Sequence, residues 1–139
     1  MSTDLAPDLD AVTRLLALRT WAVVGLSDDT SRAAHGVAAF LQAHGTRIVP
    51  VHPRAVTVHG EQGYSRLADV PFPVDVVNCF VRSELVGSVV DDAIAVGASG
   101  IWMQLGVVDE GAASRARDAG LTVVMDRCPK IDWGRYAPA

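Results

Sequence analysis

The stretch with the most chemical content is Gly25-Leu26-Ser27, which follows the apolar run Trp21-Ala22-Val23-Val24 and leads into a polar loop. A glycine at the end of a valine-rich run lets the backbone turn where a phosphate can approach. A serine beside it can donate to a phosphate oxygen. Cations gather downstream. Between Thr30 and Gly60 there is no Asp or Glu, yet the segment holds Arg32, Arg47, Arg54 and all four histidines, His35, His44, His52 and His59. Residues of these types suit recognition of an anion.

Other chemistries fit less well. A nucleophile elbow has its serine in G-x-S-x-G, and the residue two after Ser27 is Asp29, so Ser27 is read as a phosphate-binding serine. His35 and His44 would lie on opposite sides of one helix, and His52 and His59 share a loop at no recognised ligand spacing, so no metal site is expected. Cys79 and Cys128 are far apart and are read as reduced thiols. Cys79 is assigned to the core. Cys128 stands between Arg127 and Lys130, where nearby cations would lower a thiol pKa. Two readings stay open for it: a reactive thiol able to form a mixed disulfide, or a small packed residue before Pro129. Trp21, Trp102 and Trp133 are read as core or covering residues. No region alternates basic and aromatic residues as a nucleic-acid groove would.

These residues need elements to hold them. A chain of 139 residues with net charge -4, half of it apolar, suits one globular domain spanning 1–139 that neither binds nucleic acid nor enters a membrane. Met1 to Asp10 carries no basic residue, so no export signal and a cytoplasmic location are expected. Pro7 to Arg19 reads as a leading helix within residues 1–19, with Leu9, Val12, Leu15 and Leu16 on one face. Strands are predicted at Trp21 to Leu26, Thr46 to Val51, Val74 to Val81, Gly100 to Gln104 and Leu121 to Met125. Between them fall helices at Ser31 to His44, capped by Ser31 or Thr30, from Ser83, capped by that serine, and from the Asp109 cap to Ala119. Gly45, Gly97 and Gly120 close the three helices. Pro53 to Pro73 is irregular, with at most a single turn near Ser65 to Asp69. The tail 126–139 has no period and is expected to wrap the surface. Alternation of this kind gives an α/β fold: a single Rossmann-like domain with a parallel sheet of about five strands and helices on both faces. Ligands of such sheets sit beyond the carboxyl ends of the strands. That rule selects Gly25 to Ser27, Val51 to Arg54, Phe80 to Arg82, Met103 to Gly106 and Asp126 to Lys130.

The dinucleotide fingerprint G-x-G-x-x-G, with an acid some 20 residues on for the ribose diol, is absent here. The second strand runs instead into His52-Pro53-Arg54. A cation there suits a ribose carrying an extra phosphate, as in NADP or coenzyme A. The fold uses nearly every residue, leaving little chain to present a second substrate for hydride transfer.

Four motifs, Val-Val-Gly-Leu-Ser, Ile-Val-Pro-Val-His-Pro, Trp-Met-Gln-Leu-Gly-Val and Val-Val-Met-Asp-Arg-Cys-Pro-Lys, resemble those of the small stand-alone CoA-binding domain proteins. These are similar in fold to the CoA-binding domain of the succinyl-CoA synthetase alpha subunit. The resemblance covers about Leu16 to Tyr136. It implies coenzyme A or an acyl-CoA as cofactor, a binding role without catalysis, and room for a protein partner not yet identified. By matching motif it places Gly25, Leu26, Ser27 and Arg32 at the diphosphate, and Val51, His52, Pro53 and Arg54 along the adenosine and its 3′-phosphate. Phe80, Val81 and Arg82 would flank the adenine or diphosphate, and Met103, Gln104, Leu105 and Gly106 the pantetheine arm. His52 replaces the family's usual asparagine, and His35 an aromatic residue. The alternatives are an NADP-binding oxidoreductase or redox sensor, and an interaction protein with a degenerate nucleotide site.

Overall fold

The computed structural model describes residues 9–138. Their elements run α1 Leu9–Leu16, β1 Thr20–Val24, α2 Ala33–Ala43, β2 Arg47–Val51, a single 3-10 turn Leu67–Asp69, β3 Val76–Cys79, α3 Ser83–Ala95, β4 Gly100–Met103, α4 Glu110–Asp118, β5 Thr122–Val124 and α5 Pro129–Tyr136. The five strands form one parallel sheet in the order β2-β1-β3-β4-β5. Every residue of β3 and β4 is buried, as expected for a parallel sheet covered on both faces. The α/β expectation of a Rossmann-like single sheet holds.

Two cores follow from strand alternation. Val77, Cys79, Ile101 and Met103 face α3, α4 and the 3-10 turn, with Val86, Val90 and Ala116 packed against them. Trp21, Val23, Val76 and Trp102 face α1, α2 and α5, with Leu15, Leu26 and Leu41. Trp21 and Trp102 meet on that face with ring centroids 5.5 Å apart. Both indole N–H groups donate to backbone carbonyls, Trp21 to Leu18 at 3.1 Å and Trp102 to Arg127 at 2.8 Å, so these large rings are buried without an orphaned donor.

Several sequence expectations are corrected. The tail is not a surface wrap: Pro129 opens α5, its fixed φ suiting the first helical position, and the helix packs on α1 and α2. Arg127 grips Asp132 there through two bonds of 2.7 and 2.9 Å. Leu9 is 38% exposed, and Ala11 takes its place in the buried stripe of α1; Pro7 lies outside the described residues. Neither Ser31 nor Thr30 caps α2, because the Ser31 hydroxyl turns back to Asp29 at 2.6 Å and the helix starts after Arg32. Ser83 does not cap α3 either. Its hydroxyl donates to the Gly106 carbonyl at 3.2 Å and accepts from the Val108 amide at 2.9 Å, tying α3 to the loop after β4. Asp109 does cap α4, accepting from the Ala112 amide at 2.9 Å.

The long connection after β2 is pinned. The Tyr64 amide donates to Pro50 and the His52 amide donates to Tyr64, each at 3.0 Å, so the chain returns along the open side of β2. That edge position also explains how a strand can contain Pro50, which has no N–H to give. The expected crossover helix is reduced to the turn Leu67–Asp69.

Candidate functional site

Sheet order sets the location of the site. The connections from β1 and β3 run to opposite faces, which opens a crevice at the carboxyl ends of these neighbouring strands. A cleft of about 1130 Å³ lies there. Four of the five sequence-selected clusters contribute: Gly25, Ser27 and Arg32; Val51, His52, Pro53 and Arg54; Phe80, Val81 and Arg82; and Gln104, Leu105 and Gly106.

Two predicted residues do not line the cleft. Leu26 and Met103 are wholly buried. Leu26 points into the core beneath α2 and anchors the loop, while Met103 faces the opposite core. The fifth cluster, Asp126 to Lys130, also stays away from the cleft. Asp126 accepts from the Gly106 amide at 2.7 Å and thereby supports the loop after β4. Cys128 is buried in the core with Leu26 and Trp133. His35 does not reach the cleft; its ring packs at a tilt against His59 with centroids 4.3 Å apart, and His59 Nε2 meets the His35 carbonyl at 2.8 Å. Among the described residues no group of three or more His, Cys, Asp or Glu could hold a metal ion.

The floor of the cleft depends on Gly25. Its φ is +99, and a Cβ there would stand 2.3 Å from the Phe80 carbonyl oxygen. Only glycine lets β1 turn this close to β3. The Ser27 side chain is nearly buried, and its Oγ accepts from the Asp29 amide at 3.2 Å, leaving its O–H free to donate. The Ser27 and Asp28 amides have no acceptor among the described residues. Helices α2 and α3 both begin at the cleft, and neither has a side-chain cap on its first amides. Helix α4, which starts elsewhere, is capped by Asp109. Uncapped amides and two positive helix ends form an environment for negative charge.

The rim is not free of carboxylates, as the segment from Thr30 to Gly60 had suggested. Asp28 and Asp29 precede that segment and fold over it. Arg54 bonds Asp28 at 3.0 Å, and Arg32 lies 3.9 Å from Asp29. The Ser31 hydroxyl and then its amide, with Arg32 and Arg54, hold the Asp29 carboxyl below the usual carboxylate range. His52 is half-buried, and its Nδ1 accepts from the Arg54 amide at 3.2 Å, so a neutral ring carries its proton on Nε2. Sequence reasoning missed the far wall. Leu85, Val89 and Asp92 of α3 and Ser65, Arg66 and Leu67 also line the cleft. The i, i+4, i+7 spacing on α3 was readable as one face, but which way it looks depended on the shortened crossover.

Comparison with known proteins assigns the chain to a family. A family model described as CoA binding domain matches residues 19–134. The chain belongs to that family. It is 38% identical over 110 residues to the uncharacterized protein YneT of Bacillus subtilis, covering 79% of this chain and 82% of that one. A hypothetical protein of known structure from Pyrococcus horikoshii OT3 superposes with a TM-score of 0.87 at 32% identity, over 98% of this chain and 96% of that one. A dinucleotide-forming acetyl-coenzyme A synthetase from Ca. Korarchaeum cryptofilum matches with a TM-score of 0.71 at 26% identity, over 83% of this chain and 28% of that larger one. This CoA-binding domain chain is therefore a small relative of a module that also occurs inside a larger enzyme.

Proposed function

We propose that the chain binds coenzyme A or an acyl-CoA in this cleft and acts by recognition, without catalysing a reaction. The observation that carries the proposal is the meeting of Gly25, the free Ser27 hydroxyl and two uncapped helix N-termini at one crevice. The diphosphate takes the Ser27 hydroxyl and the Ser27 and Asp28 amides, with the helix ends favouring its charge. Arg54 exchanges Asp28 for the ribose 3′-phosphate, a doubly charged partner in place of a singly charged one. The ligand's arm runs along Phe80, Val81 and the exposed Leu105. The cleft volume of about 1130 Å³ exceeds the ~300–1,000 Å³ common for drug-sized ligands, which suits an extended carrier.

Calorimetric titration of the purified chain with coenzyme A, acetyl-CoA, NADP and NAD tests this. Saturable binding of the first two with one site per chain supports the proposal. Binding of NADP alone would transfer the cleft to a nicotinamide ligand, and binding of none would leave a degenerate site.

A further inference from the structure

Asn78 lies in the middle of β3, fully buried in a strand otherwise made of Val76, Val77 and Cys79. Its Nδ2 donates to the Trp102 carbonyl at 3.3 Å and to Gln104 Oε1 at 3.2 Å. Its Oδ1 is the one buried side-chain oxygen or nitrogen without a partner among the described residues. A strand that wanted only stability would hold valine here, since a buried orphaned acceptor is destabilising.

The bonds form a chain of forced orientations. The Trp102 carbonyl can only accept, so Asn78 must turn its NH2 toward it. The same NH2 faces Gln104, so Gln104 must present its oxygen inward. Its Nε2 then points away from Asn78. That nitrogen has no partner among the described residues and is not among the buried unpartnered atoms, so it is accessible. Gln104 itself lines the cleft, only 7% exposed.

We propose that Asn78 is a positioning residue that locks the Gln104 carboxamide with its NH2 toward the cleft, where it donates to an oxygen of the bound ligand. The inference rests on the coenzyme A reading and deepens it. A freely rotating glutamine offers oxygen or nitrogen equally; a locked one offers only a donor, and so selects a carbonyl or phosphate oxygen.

The test uses the intact chain with coenzyme A and 3′,5′-ADP as titrants. Asn78→Val keeps the volume close and removes the orphaned oxygen. It is expected to fold with an unchanged or higher Tm, yet to bind coenzyme A about three- to tenfold more weakly. Gln104→Glu keeps an acceptor for Asn78 but loses the donor, and is expected to lose about tenfold or more; Asn78→Ala stands in for Asn78→Val should that variant not fold. In a Gln104→Ala background Asn78→Val is expected to have no further effect, a coupling that a purely structural role would not produce. Losses seen with coenzyme A but not with 3′,5′-ADP place the oxygen on the pantetheine arm, and losses with both place it on a phosphate; either result supports the donor. Wild-type affinity in folded Asn78→Val and Gln104→Glu, or additive losses in the double variant, overturns the proposal while leaving the coenzyme A reading intact. A wild-type chain that binds neither titrant overturns both.

Discussion

The Arg54 guanidinium and the Asp28 carboxylate meet 3.0 Å apart across the mouth of the cleft, joining the loop after β2 to the loop after β1. Each side chain is more than half exposed, 55% and 59%, so the pair is weak and exchangeable. Under the proposed coenzyme A reading, Arg54 is held by an internal carboxylate that the ribose phosphate would displace.

Two opposite outcomes follow for this pair. Arg54→Ala is expected to weaken coenzyme A about tenfold and dephospho-coenzyme A much less. Asp28→Asn removes the internal competitor and is expected to tighten coenzyme A by about two- to fivefold. Calorimetry on both variants with both ligands checks this, and equal losses for the two ligands in Arg54→Ala would remove Arg54 from the phosphate.

Gly25→Ala is expected to destabilise the fold by about 2 kcal/mol or more. The added carbon meets the Phe80 carbonyl at 2.3 Å on backbone whose φ of +99 disfavours it further. Urea unfolding measures the loss, and a midpoint equal to wild type would mean that β1 and β3 part more easily than the packing indicates.

Asp132→Ala leaves Arg127 without its two-bonded partner, one side chain being 24% and the other 8% exposed. A cost of about 2 kcal/mol is expected, less than the ~3–5 for a wholly buried pair because Arg127 keeps some water. Asp132→Asn, which retains one acceptor, should cost less. Thermal unfolding of both variants decides, and a reversed ranking would count against this account.

Burial pushes the Cys79 thiol pKa well up. The unfolded chain releases that proton near pH 8.5 while the folded chain keeps it, so stability falls as pH rises above about 8.5, by at most ~1.4 kcal/mol per pH unit for this one group. Cys79→Ala should flatten the decline between pH 8.5 and 10, read by urea melts at each pH. Both thiols are buried, so a thiol reagent should label them only on unfolding. Rapid labelling of Cys128 in the folded chain would restore its reading as a reactive thiol.

Much of the fold was legible because glycines and valine runs act locally. Gly45, Gly97 and Gly120 take the positive φ of helix ends as read, and the Asp109 cap needs only its own next turn. Local signals failed where a side chain had a better partner outside its own helix. Ser83 looked like a cap, but Gly106 and Val108 claim its hydroxyl. The tail looked irregular because α5 buries Asp132, a charge that only Arg127 makes tolerable.

The sequence by itself determined the alternation of strand and helix, the turn at Gly25, and a cationic segment suited to phosphate, since each depends on backbone preference or composition within a few residues. Only the tertiary structure decided the rest. It brought Asp28 onto Arg54, turned Leu26 and Met103 inward, and linked Asn78 to Gln104 across two strands. The two named pairs each join residues 26 positions apart, and burial direction and partner choice at that separation are set by how the sheet stacks its strands.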